Sequence, residues 1–290
     1  MKKIIALLSV VVLTITSCSK NDSPTTPAEA GNLIKRIENT SNSPDGNRTT
    51  FISYNGNKIA EVSSSGSTSK TIYTYNGDLI AKTQSYNGTV LRETDDYIYS
   101  NGKLMSVFSL ENRFNSQTNL TEEIKSKREY NYDPSGPITE QQYKFVNGVY
   151  VAETRTNVYT YSGGNCTKLV QNGSNSYDNG SGTLQVNIYV NTYVYEYDNK
   201  PNPINNIAGI NKIIFDEESS ANNLIKRTSS STSTTNNIPN TVFPATVRNF
   251  TLSYNSNNYL TESKYDFQAS LNTTPVTYET KTNITRYFYE

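Results

Sequence analysis

From residue 50 onward, apolar and polar positions alternate in short runs that end in Asn-, Asp- and Gly-containing steps. Ile52-Ser53-Tyr54-Asn55-Gly56, Tyr73-Thr74-Tyr75-Asn76-Gly77 and Tyr97-Ile98-Tyr99-Ser100-Asn101-Gly102 share one layout. Tyr130-Asn131-Tyr132-Asp133-Pro134, Tyr159-Thr160-Tyr161-Ser162-Gly163, Tyr195-Glu196-Tyr197-Asp198-Asn199 and Leu252-Ser253-Tyr254-Asn255-Ser256 continue it. Alternation at period two puts both aromatic positions of a unit on one face of a β-strand, and the Asn/Asp-Gly steps supply the positive φ of a tight hairpin turn. Each unit is expected to be the outgoing arm of a hairpin. Its return arm carries a mark of its own, as in Lys58-Ile59-Ala60-Glu61-Val62, Leu79-Ile80-Ala81-Lys82-Thr83, Lys103-Leu104-Met105-Ser106-Val107 and Tyr259-Leu260-Thr261-Glu262-Ser263. Leu33-Ile34-Lys35-Arg36-Ile37 and Leu224-Ile225-Lys226-Arg227-Thr228 match the return arm, the first without a visible outgoing partner. Tyr287-Phe288-Tyr289 ends the chain in the outgoing register, which predicts a paired C-terminal strand with the run around Val276-Thr277-Tyr278-Glu279-Thr280 as its neighbour.

The spacing between aligned tyrosines grows along the chain, and the gap from Tyr197 to Tyr254 is the longest. Within it, Ile213-Ile214-Phe215-Asp216 reads as a degenerate outgoing strand for the return at Leu224. Ile204, Ile207, Ile210 and Ile213 recur every third residue, which also suits a short helix or 3₁₀ turn. The uninterrupted Ser/Thr run from Ser229 to Thr235 reads as a solvated loop. Sheets this long rarely stay flat. The expected fold is therefore all-β, an antiparallel meander of repeated β-hairpins, about 14 to 18 strands, forming a twisted, curled open sheet or half-barrel shell. One domain is expected over residues 32–290.

Composition changes the picture in two ways. The 290 residues include 23 Tyr but 9 Phe, 2 Met and no Trp, so tyrosine rings have to supply much of the core. Lys+Arg and Asp+Glu balance at 26 each, which withholds the net positive charge of a general nucleic-acid binder, and no nucleic-acid partner is expected. The absence of His removes the commonest general base and the commonest metal ligand.

At the N-terminus, Lys2 and Lys3 precede the apolar stretch Ile4 to Leu13, which fits an export signal and is shorter than the roughly 20 residues that span a bilayer. Ile15-Thr16-Ser17-Cys18 resembles the lipobox of bacterial lipoproteins. The resemblance implies a signal peptide over 1–17, a lipidated Cys18 holding the protein to a bilayer, and a flexible Ser/Thr/Pro tether over 18–31. Ser19 stands where retention in the inner membrane would need Asp, so the implied location is the bacterial outer membrane, facing the periplasm or the surface.

The recurring Tyr-Asn/Asp-Gly hairpin is similar to the YD repeats of the Rhs family. The whole layout, lipobox, degenerate tyrosine hairpins and Asp198-Asn199-Lys200-Pro201-Asn202-Pro203, resembles a group of Bacteroidota outer-membrane lipoproteins over most of residues 32 to 290. That resemblance implies a curved hairpin sheet.

Candidate chemistry is sparse. Cys166 occupies the return-arm slot held elsewhere by Ile59 and Leu104, which reads as a buried thiol in a core position. Asp95-Asp96, Glu122-Glu123 and Glu217-Glu218 are adjacent carboxylates that read as solvated edges or loops. Tyr177-Asp178-Asn179-Gly180-Ser181-Gly182 lacks the ligand spacing of a Ca²⁺ loop and reads as a hairpin turn. No catalytic residue, cofactor or metal site is expected. The chain reads as a membrane-anchored noncatalytic module that binds or scaffolds at the cell envelope, with a glycan, peptide or envelope protein as partner. The alternative is a carboxylate-dependent hydrolase acting on glycans, which requires two carboxylates from different hairpins converging within about 5 to 10 Å.

Overall fold

The computed structural model describes residues 33–289 apart from 42–46, 179, 181, 183, 237, 241, 243 and 272–276. The segments expected to be a signal peptide and a tether, with Cys18, lie outside the described residues, as does Val276.

Eighteen strands are present among the described residues: β1 (Ile34–Ser41), β2 (Arg48–Asn55), β3 (Lys58–Ser64), β4 (Ser69–Asn76), β5 (Leu79–Asn87), β6 (Val90–Ser100), β7 (Lys103–Asn115), β8 (Leu120–Tyr132) and β9 (Ile138–Val146), followed by β10 (Val149–Ser162), β11 (Asn165–Asp178), β12 (Leu184–Pro201), β13 (Asn222–Thr235), β14 (Ile238–Pro239), β15 (Thr246–Asn249), β16 (Thr251–Tyr254), β17 (Leu260–Leu271) and β18 (Thr277–Tyr289). From β1 to β13 every strand ladders antiparallel with the next. The fold is the all-β curled meander that the alternation predicts.

The repeat is visible in the register. Tyr54 lies opposite Ile59, Tyr75 opposite Ile80, Tyr99 opposite Leu104, Tyr161 opposite Cys166, Tyr197 opposite Leu224 and Tyr254 opposite Leu260. In each hairpin the register then shifts by one residue on the return arm, a β-bulge that sharpens the local twist and so the curl of the sheet. Phenol groups tie successive hairpins together. Tyr99 donates to the Ile80 carbonyl at 2.8 Å, Tyr132 to Leu104 at 3.0 Å, Tyr197 to Cys166 at 2.5 Å and Tyr54 to Ile34 at 2.7 Å.

The first return arm finds its partner at the far end of the chain. Ile34 lies opposite Tyr289 with the same shift after it, and β1 ladders with both β2 and β18. The C-terminal strand is thus paired on both sides, by β1 and by β17, whereas residues 277–280 belong to β18 itself. The expected neighbour was misplaced because one strand here runs through two stretches of the pattern. At the opposite side, residues 246–254 ladder with β13 only through Thr246–Asn249 and with β17 only through Thr251–Tyr254. Phe250 stands between, its amide donating to the Ile225 carbonyl at 2.8 Å. No part of that strand is laddered on both sides, and the curled sheet stays open along this line.

Two readings of the long gap are corrected. The Ser/Thr run is not a loop: Ser229 to Thr235 form the second half of β13 and ladder with Asn187 to Tyr193 of β12, since Ser and Thr present the same backbone donors and acceptors as any strand residue. Ile213 to Asp216 is not an outgoing strand either. Tyr197 pairs directly with Leu224, and residues 202–221 are an insertion in that turn, folded as three 3₁₀ turns at Pro203–Asn206, Ile210–Lys212 and Glu217–Ser219.

This insertion plugs the tight-turn end of the shell. Its Ile207, Ile210, Phe215 and Ser220 are buried. Ile207 and Ile210 join Leu33, Ile59 and Ile80 in one cluster, and Phe215 joins Leu104, Val107, Tyr130, Tyr159, Cys166, Leu169 and Tyr195 in another. Backbone bonds fasten it to the turns: Ala208 donates to Asn57 at 2.9 Å and Ala221 to Gly164 at 3.1 Å. Gly209, at φ +71°, passes so close to β5 that a Cβ there would stand 2.6 Å from the Asp78 carbonyl, so only glycine fits. The outward face carries ion pairs, including Lys82–Asp96 at 3.0 Å, Lys226–Glu196 at 2.7 Å and Arg286–Glu262 at 2.9 Å.

Candidate functional site

Each aromatic pair fills the inner face near the plug, and period-two alternation carries the next inward positions toward the opposite end. Those positions are polar. Two residues before the first tyrosine of each pair stand Asp95 on β6, Arg128 on β8 and Asn157 on β10; on β12 a third ring, Tyr193, takes that place and Asn191 stands two residues before it. Register places Glu140, Asn157, Gln171, Asn191 and Ser231 side by side on five consecutive strands, forming one row across the wall.

Above and beside this row lie two hollows of about 380 Å³ each that share Gln142. Arg155, Asn157, Gln171, Tyr189 and Asn191 line the first. Tyr189 crosses directly over Gly173, where any Cβ would meet its phenol, so the glycine makes room for the ring. Glu140 is 5% exposed and fully engaged: Asn157 Nδ2, the Tyr159 phenol and Gln142 Nε2 all donate to it at 3.1 Å. Asn157, 8% exposed, spends its amide hydrogens this way and leaves Oδ1 buried without a partner among the described residues. A buried acceptor left unpaired costs about 1 to 3 kcal/mol, which a ligand donor would recover.

The second hollow is charged. Asp95 accepts from Ser109, Tyr97 and Arg128, the last at 3.4 Å, while Glu93 and Glu153 line the same space. Burial raises the Glu93 carboxyl above the usual range, helped by the charges of Asp95 and Glu111 and opposed by Arg128.

The adjacent carboxylates are thereby corrected in part. Asp95 points inward, its side chain 15% exposed, while Asp96 points outward to Lys82. Glu122 bonds Asn115 Nδ2 at 2.7 Å, Glu123 faces Lys125, and Glu217 and Glu218 sit on the plug facing the interior. Strand alternation splits a pair between two environments, so one partner need not be solvated. Cys166 is fully buried, and burial pushes its thiol up to about 12, with Asp216 and Glu217 adding to the shift. Asp178 Oδ1 accepts from the amides of Gly180 and Gly182, capping its own turn; Asn179 and Ser181 lie outside the described residues. Among the described residues no group of three or more carboxylates, thiols or imidazoles is placed to hold a metal ion.

No family model matches the chain, and no curated protein sequence matches it. Among solved structures it is similar to a porin-like protein from Bacteroides vulgatus ATCC 8482, at 10% identity and a TM-score of 0.50 over 89% of this chain and 98% of that one. A porin-like protein from Bacteroides uniformis ATCC 8492 overlaps at 12% identity and a TM-score of 0.45, covering 92% of this chain and 99% of that one. The first likeness extends the class to a shared curled β fold.

Proposed function

We propose that the protein is a noncatalytic binding module held at the bacterial outer membrane by lipidated Cys18, and that it takes a hydroxyl-rich ligand, a glycan, into the trough on its inner wall. The observation that carries this reading is Asn157, which lines a hollow together with Gln142, Gln171, Asn191, Arg155 and Tyr189 and whose Oδ1 is buried without a partner among the described residues. Amide and guanidinium donors with phenol and carbonyl acceptors suit a ligand that both donates and accepts at many points. The hydrolase alternative retains Glu93 of β6 and Glu153 of β10, which line one hollow from different hairpins; it is less favoured because Asp95, the third carboxylate there, is already held by Arg128 and Ser109.

Leu33, where the described residues begin, is buried beside the plug. The outer face carries ion pairs beside exposed apolar side chains such as Ile98 and Val194.

The test is a glycan array probed with labelled protein, followed by calorimetry on the best binder. Asn191→Ala and Gln171→Ala are expected to weaken binding by about tenfold each at an unchanged melting temperature. A blank array, or binding indifferent to both substitutions, would remove the reading.

A further inference from the structure

Across β13 from the trough, behind the line along which the sheet stays open, lies a hollow of about 390 Å³ whose floor is the plug. Its chemistry is divided. Leu252, Phe250, Tyr265 and Tyr287 give it an apolar wall, and Arg227 and Arg248 stand at one side.

Three observations mark it as a site. Arg227 and Arg248 lie directly opposite each other on β13 and β15, and like charges so placed repel. Arg227 has a carboxylate partner, Glu217 at 3.3 Å, whereas Arg248 rests over the Tyr265 ring at 5.2 Å with no ion pair among the described residues. Glu218 lines the same hollow, and burial, with the neighbouring charges of Asp216 and Glu217, raises its carboxyl above the usual range. Independently, Asn223 is 3% exposed and lines the same hollow. Its Nδ2 donates to the Lys200 and Pro201 carbonyls, leaving Oδ1 buried and unpartnered, and Arg227 Nε is buried and unpartnered too. Finally, the wall formed by residues 246–254 is the strand laddered on one side at a time, so neither of its halves is held by ladders on both edges.

We propose that this hollow binds a small aromatic carboxylate bearing a hydroxyl group. The carboxylate bridges Arg248 and Arg227, relieving their repulsion. The ring lies against Phe250 and Tyr265. The hydroxyl donates to Oδ1 of Asn223, which lines the same hollow as Arg227. This site is separate from the trough and does not depend on the glycan reading.

The experiment is calorimetry of the full-length protein in detergent with 3-(4-hydroxyphenyl)propionate as the probe. Saturable binding at one site per chain is expected, weakened on the order of tenfold for the neutral amide of the probe and likewise for 3-phenylpropionate, which lacks the hydroxyl. Arg248→Gln is expected to produce a similar loss, while Asn191→Ala in the trough leaves the affinity unchanged. Absence of saturable binding at millimolar probe overturns the proposal, as does equal affinity for the acid and its amide. Because the amide comparison uses the unaltered protein, it decides the matter even if Arg248→Gln lowers stability.

Discussion

Tyr289, the last described residue of the final strand, lies opposite Ile34 at the start of the first, in the register that Tyr54 holds with Ile59 and Tyr75 with Ile80. Its phenol donates to the Leu260 carbonyl at 2.6 Å, as Tyr99 does to Ile80. The two chain ends together form one more hairpin of the repeat, with its turn missing.

A circular permutant tests that equivalence. Linking Glu290 to Leu33 through Gly-Asn reproduces the Tyr54-to-Ile59 spacing, and new termini can be opened between Gln117 and Thr118 in the exposed turn after β7. The permutant is expected to keep the parent circular dichroism and to melt in one transition near the parent temperature. A molten or aggregated product would mean that the end pairing does not stand in for a hairpin. Deleting residues 284 to 290 from the unpermuted chain should instead leave β1 and β17 with bare edges and favour aggregation.

The tyrosines act through rings and hydroxyls separately. Tyr130→Ala, which removes a ring packed 4.9 Å from that of Phe215, is expected to cost about 3 to 5 kcal/mol. Tyr99→Phe and Tyr132→Phe remove only the bond to the preceding return arm and should cost about 0.5 to 1.5 kcal/mol each. Urea denaturation separates the two classes; equal effects would contradict the assignment of the phenols as ties between hairpins.

Alkaline conditions should unfold the protein. Burial pushes Tyr75 up to about 12, and raises Tyr73 and Tyr132 as well. A group whose pKa is raised on folding holds its proton more tightly in the folded state. Its stabilisation is full below the unfolded value of about 10 and is lost as pH climbs through the folded value. The urea midpoint is therefore expected to fall from about pH 10 to 12, and a flat profile would mean that these phenols are solvated.

Cys166 should be inert while the protein is folded. With its thiol fully buried and pushed up to about 12, almost no thiolate exists at neutral pH. A disulfide reagent is expected to report this thiol only after denaturant is added; rapid reaction of the native protein would place it at the surface.

The proposed anchor, Cys18, lies outside the described part of the chain. Cys18→Ala is expected to move the protein from the membrane pellet to the soluble fraction. Retention of that variant in the membrane would assign the attachment to another segment.

Much of the fold was legible in the sequence because hairpins are local. The Tyr-x-Tyr alternation, the turn residues and the apolar return arm lie within a few residues of one another, and their spacing sets face and register without reference to the rest of the chain. The amide row was legible only in principle. Extending the alternation two residues back from Tyr97, Tyr159 and Tyr193 reaches Asp95, Asn157 and Asn191, but nothing local says that these inward positions surround a hollow.

The sequence by itself determined the strands, their turns and the tyrosine face, since each follows from period-two patterning and positive-φ turn residues acting at short range. Tertiary structure alone decided the rest. Ser229 to Thr235 became a strand because β12 offered a ladder, and Ile213 to Phe215 became part of a plug because Tyr130, Tyr159 and Tyr161 left an apolar space for it. Ile34 met Tyr289 because curvature, summed over the repeated bulges, brings the first strand to the last. These outcomes depend on groups far apart in the chain, whose meeting is set by the accumulated twist of the whole sheet.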